Sequence, residues 1–290
     1  MVVCRPSHRC PHPGRAGHLV DCIRESVDVP FRHDQPGLAV AHDFGDVTVI
    51  GCNNGHSGRR QLNQRYGRSP FAVTVRGVPA HPREPESGLS AIEAAFLVIA
   101  ALKELETRWT AEKSSHPGFD ALANPASLNI GTIRGGEWPA SIPFECSFEG
   151  RIGFYPGDRP QDRMEELRAV LEGLGSRDRR LEKADPRLEW IGTCQAGYRL
   201  DDGSDAEAAL AVAHRTVTGE PLERSIMACY LDAALYMNHC GIPSLTYGPL
   251  TRNIHGIDEC VNLPSLKRVT QAIALFAAAW CGVAPISRDR

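Results

Sequence analysis

The chain has 290 residues, 42% of them hydrophobic and 23% charged, enough for one large core or two ordinary ones. Lys and Arg number 32 against 35 Asp and Glu, and no basic stripe stands out, which argues against a nucleic-acid partner. Ala272 to Trp280 is too short to cross a bilayer, Met1 to Pro6 holds no signal-like run, and ten unframed cysteines suit a reducing cytoplasm.

Before Tyr66 the chain is crowded with His, Cys, Arg, Pro and Gly and keeps no sustained helical period. His8, His12, His18, His33, His42 and His56 fall here, with Cys4, Cys10, Cys22 and Cys52. A zinc knot from Cys4, His8, Cys10, His12, His18 or Cys22 is the competing idea, but no Cys-x-x-Cys pair supports it. Residues 1–65 are therefore expected to be irregular, and non-native as a partner for the rest of the chain.

From Phe71 the pattern is clear. Phe71 to Val75 alternates apolar and polar and stops at Gly77, as a half-buried strand does. Ser90 opens a helix with Glu93 three residues on as a capping box, and Ile92, Phe96, Ile99, Leu102 and Leu105 form its apolar stripe. Leu128 to Ile133 is a second strand and Cys146 to Phe154 a third, ending at Pro156-Gly157. A helix from Pro160 turns Met164, Leu167, Leu171 and Leu174 inward and stops at Gly175, and Leu188 to Ile191 is a fourth strand. The order β-α-β-β-α-β is the ferredoxin-like sandwich, an antiparallel sheet with two helices on one face, over residues 66–195.

Residues 196–285 differ in kind. Ser204 with Glu207 caps a helix that runs to Gly219. A short helix spans Leu231 to His239, a strand Ser244 to Tyr247, and a long helix Pro264 to Cys281 before Gly282. One strand with three helices cannot close a sheet, so this piece must complete one begun elsewhere.

Four separated motifs then point one way. Val75-Arg76-Gly77-Val78-Pro79-Ala80-His81 is followed by Gly88-Leu89-Ser90-Ala91-Ile92, and Asn129 to Trp138 by Ile142-Pro143 and Arg151 to Gly157. Tyr247-Gly248-Pro249 precedes Asn253-Ile254-His255-Gly256-Ile257-Asp258-Glu259. This order resembles the acetylornithine deacetylase/succinyl-diaminopimelate desuccinylase family of zinc-dependent, aminoacylase-type metallopeptidases, above all its deacetylases and related deacylases. The resemblance implies an α/β and α+β fold: a ferredoxin-like lid or dimerisation domain, then the C-terminal portion of a zinc-peptidase-like α/β domain. It also implies a homodimer through the lid and hydrolysis of N-acyl amino-acid-like amides by a zinc pair, for which cobalt can substitute.

Residue by residue, the resemblance makes His255 a metal ligand and His81 a catalytic lid histidine that reaches the substrate carbonyl across the dimer. It assigns substrate binding to Arg151, whose guanidinium suits a carboxylate, and to Gly248. From the residues alone, Arg151 is equally a strand arginine in a salt bridge, His255 a solvated loop histidine, and Asp232 a helix cap. The family's His-x-Asp pair, bridging aspartate and paired glutamates have no match before Tyr66, where Gly17-His18-Leu19-Val20-Asp21 has the wrong spacing. One ligand cannot hold a zinc pair. The expectation is an amide hydrolase by descent whose amino-terminal catalytic segment is missing and whose turnover is weak or absent. The rivals are a non-catalytic dimerisation or interaction module and a binding protein that keeps only His81 and Arg151.

Overall fold

In the computed structural model the described residues are 42–43, 48–50, 60–65, 67–200, 203–227, 230–240, 242 and 244–283. Their elements are β1 (His42–Asp43), β2 (Thr48–Ile50), β3 (Arg60–Arg65), β4 (Gly67–Arg76), α1 (Ala91–Ala111), β5 (Asn129–Gly135) and β6 (Glu145–Phe154). Next come α2 (Pro160–Arg177), α3 (Arg179–Ala184), β7 (Arg187–Trp190), β8 (Tyr198–Arg199), α4 (Asp205–Thr218) and β9 (Glu223–Met227). The last are β10 (Ser244–Tyr247), β11 (Thr251–Arg252), β12 (Cys260–Val261) and α5 (Leu263–Cys281). They divide into two units. A sandwich unit is drawn from Gln64–Tyr198 and Ile226–Ala234, and a terminal unit from Met1–Asn63, Arg199–Ser225 and Leu235–Arg290.

In the sandwich unit the strands run β5-β6-β4-β7, every neighbour antiparallel. Alternation sets the faces: Phe71, Val73 and Val75 of β4 and Phe148, Ile152 and Phe154 of β6 are fully buried under α1 and α2. Each such side chain contributes about 1.5–3 kcal/mol on burial. The ferredoxin-like expectation holds.

Two details differ. The face that α1 buries is Ala91, Ala94, Ala95, Val98, Ala101, Leu102, Leu105 and Trp109, while Phe96 is 60% exposed and Ile92 and Ile99 lie on its flank. Four alanines let the helix axis approach the sheet, where a phenylalanine would hold it off. Nor does Gly175 stop α2. The helix continues to Arg177, and Asp178 then caps the short α3, its side chain accepting from the Arg180 N–H. Gly175 instead allows close passage, since a Cβ there would lie 3.3 Å from Glu182 Cα.

A buried carboxylate ties α1 to the approach to β5. Glu106 accepts from the Leu128 N–H, Asn124 Nδ2 and Lys103 Nζ, each at 2.8 Å. At the far end of α1, the Arg163 guanidinium donates to Glu112, Asp158 and Glu166. Burial opposes its charge, but the hydrogen bonds to Glu112 and Asp158 more than offset this and hold it protonated. The cleft of about 470 Å³ at this point, lined by Glu112, Asp158, Asp162, Arg163 and Glu166, is thus a clamp between α1 and α2.

The terminal unit shows where the incomplete sheet is completed. β10 is buried on both faces, pairs parallel with β2 and antiparallel with β3, and sits in the order β1-β2-β10-β3-β8, with β9 also on β3. Three strands therefore come from the stretch before Tyr66 that was expected to be irregular. β1 and β2 are too short to show a period, and Arg60–Arg65 has one apolar residue in six. The remainder of that stretch, including the candidate zinc-knot residues, lies outside the described residues. Leu245 and Tyr247 pack with Leu210, Ala213, Val269, Ala272 and Phe276 from α4 and α5. Tyr247 Oη lies 2.8 Å from Nδ1 of the fully buried His214, and burial pushes the tyrosine hydroxyl far up from its ordinary value.

Candidate functional site

His81 stands at the tip of the sandwich. Beyond β4 the chain runs between two neighbours: Val78 and Leu89 exchange backbone hydrogen bonds at 2.8 and 2.9 Å, and the Ile142 N–H donates to Ala80 O at 3.0 Å. Gly77 is required here, because a Cβ would fall 2.4 Å from both Leu89 O and Pro143 O. His81 comes directly after Ala80 and is exposed. Its Nδ1 accepts the Arg83 N–H at 3.1 Å, so in the neutral ring the proton sits on Nε2, which is left as a donor.

Arg151 lies on β6 opposite Pro70 of β4 and Asn129 of β5, on the sheet face that α1 and α2 leave uncovered. Among the described residues it has no ion-pair partner, so the salt-bridge alternative is not realised there. It is far from His81. Pro70 to Arg76 alone spans about 20 Å of extended strand, and His81 lies beyond that end.

In the terminal unit, β11 and β12 form a ribbon (Thr251 opposite Val261, Arg252 opposite Cys260) whose loop carries His255. Three non-glycine residues of that loop are left-handed: Asn253 at φ 55°, His255 at 61° and Asp258 at 60°. Each such residue costs about 1–3 kcal/mol, least for Asn, Asp and His, and strain of this kind gathers where a side chain is being aimed. The Gly256 N–H donates to Asn253 O at 2.7 Å, and the ribbon is tied to α5 by Asn262 N–H to Leu250 O and Leu250 N–H to Ser265 Oγ, both 2.9 Å. His255, Asp258 and Glu259 are all exposed, and Gly248 is buried between β10 and the ribbon.

A zinc pair needs a converging donor set. Among the described residues no group of three or more His, Cys, Asp or Glu side chains is arranged to hold a metal. His255 is a single candidate ligand with carboxylates after it in the same loop. The described residues by themselves do not fit a zinc pair.

Three positions escaped the sequence reading. The Arg68 guanidinium lies 4.6 Å over the Tyr230 ring, and Asp232 is the other charge near that hydroxyl. Burial, then Asp232, push the Tyr230 hydroxyl up, and Arg68 opposes them. Neither residue is near the other in sequence, so no local signal existed. Trp138 is 65% exposed at the sandwich tip, an exposure that a motif glycine-glycine turn should have suggested.

Comparison with known proteins adds to this geometry. Residues 63–179 match the peptidase dimerisation domain of the M20 type. The chain is 30% identical over 210 residues to an N-formyl-4-amino-5-aminomethyl-2-methylpyrimidine deformylase of Halalkalibacterium halodurans, covering 69% of this chain and 48% of that protein. It is 30% identical over 277 residues to the Bacillus subtilis protein of the same name, covering 92% and 62%, an alignment that reaches into residues 1–65. An acetylornithine deacetylase of Vibrio atlanticus matches at 30% over 142 residues, 48% of this chain and 34% of that protein. In fold, the chain is similar to the dipeptidase Dug1p of Saccharomyces cerevisiae, with TM-score 0.64, 14% identity, and 83% and 60% coverage. The chain thus spans about half to three fifths of the two deformylases' own lengths.

Proposed function

From the match of residues 63–179 to the M20-type peptidase dimerisation domain, we propose that the chain is part of a hydrolase of N-acyl or N-formyl amide bonds on small amines. Its relatives named deformylase and deacetylase both cleave a short acyl group from nitrogen, and that shared bond is the substrate class proposed here. The observation that carries the reading is the state of His81. With Nδ1 engaged by the Arg83 N–H, the neutral imidazole offers Nε2–H on an exposed tip, the donor that an amide carbonyl takes as negative charge develops on its oxygen.

His255 is the proposed metal ligand, zinc the proposed metal, and Arg151 and Gly248 the proposed substrate contacts. The chain's own turnover is proposed to be weak, because only His255 matches a ligand of the pair and no matched base stands beside it. A cytoplasmic setting fits the unbridged thiols of Cys146, Cys194 and Cys260. The test replaces residues 1–65 with the corresponding segment of a catalytically complete relative and assays N-formyl, N-acetyl and N-succinyl amines. Hydrolysis that depends on His255 is the expected result. A zinc-loaded, dimeric chimera with no hydrolysis would favour a dimerisation module instead.

A further inference from the structure

We draw no further inference here: the strongest candidate, the acidic cleft of about 470 Å³ between α1 and α2 lined by Glu112, Asp158, Asp162 and Glu166, carries nothing, because three of those carboxylates are already engaged by the buried Arg163 and nothing among the described residues points to a ligand there.

Discussion

His81 and Arg151 belong to one sandwich unit but stand toward opposite ends of its sheet, His81 beyond the Arg76 end of β4 and Arg151 opposite Pro70. The strand between them is about 20 Å long, more than a small N-acyl amine can span. One sandwich therefore cannot offer both side chains to one substrate. If both serve the reaction, they act in different sites, or one site draws them from two copies of the chain. In the chimera that carries a relative's amino-terminal segment, mixing His81→Ala and Arg151→Ala chains is expected to recover about a quarter of the unmodified activity by forming heterodimers with one intact site. Recovery of none would mean that the two residues do not share a substrate.

The surface beside β5 is the expected dimer contact. β5 is the outermost strand of its sheet, and α1 runs along it, with Lys103 Nζ donating to Leu128 O at 2.7 Å and Ile92 beside Gly136. Phe96 on α1 and Ile133 on β5 are 60% and 45% exposed there. An outer strand with apolar neighbours is satisfied by pairing with its own copy. Sedimentation should show a dimer at tens of micromolar, and Phe96→Glu with Ile133→Glu should yield monomer, with folding unchanged by circular dichroism. A monomeric native chain would contradict this.

Glu106 should be the most sensitive polar position of the sandwich core. It is 7% exposed and accepts three hydrogen bonds, one from the buried backbone N–H of Leu128. Glu106→Ala leaves that N–H without its partner, a loss of about 2–3 kcal/mol. Chemical denaturation of the variant should show this fall, and Glu106→Gln should lose less, since its carbonyl oxygen still accepts.

The cysteines divide by burial. Cys146 is 1% exposed and burial raises its thiol pKa, whereas Cys260 on β12 is exposed. A thiol raised above its unfolded value contributes stability that is present below the unfolded thiol's range and lost as pH rises through the folded pKa. Stability should therefore decline on the alkaline side, less steeply in Cys146→Ala. Alkylation followed by peptide mapping should label Cys260 in the native chain, and Cys146 only on unfolding.

Much of the fold was legible in the sequence, unevenly. Strand alternation at Phe71, Val73 and Val75 and caps at Ser90 and Ser204 worked because they are local, and both cap hydroxyls accept the hydrogen bonds expected of them. Phe96 misled because its hydrophobicity outweighed four alanines in the pattern, although small side chains decide how closely a helix can approach a sheet. The pairing of β10 with β2 and β3 could not be read, because it joins residues nearly two hundred positions apart through strands too short or too polar to show a period. At the candidate site the motif residues were readable. Their separation was not, because a motif gives no distance along a sheet, and the Arg83 hydrogen bond that sets the His81 tautomer is a backbone contact.

The metal-dependent part of the proposed function rests on His255, on its strained ribbon loop, as a ligand. The direct measurement is kcat/KM for an N-formyl or N-acetyl amine, with zinc content, in the chimera and in its His255→Ala variant. Hydrolysis is expected in the chimera, lost by about a hundredfold or more in His255→Ala with less zinc bound. Full activity and full zinc in the His255→Ala chimera, or ordinary enzymatic rates from the unmodified chain without His255, would contradict it.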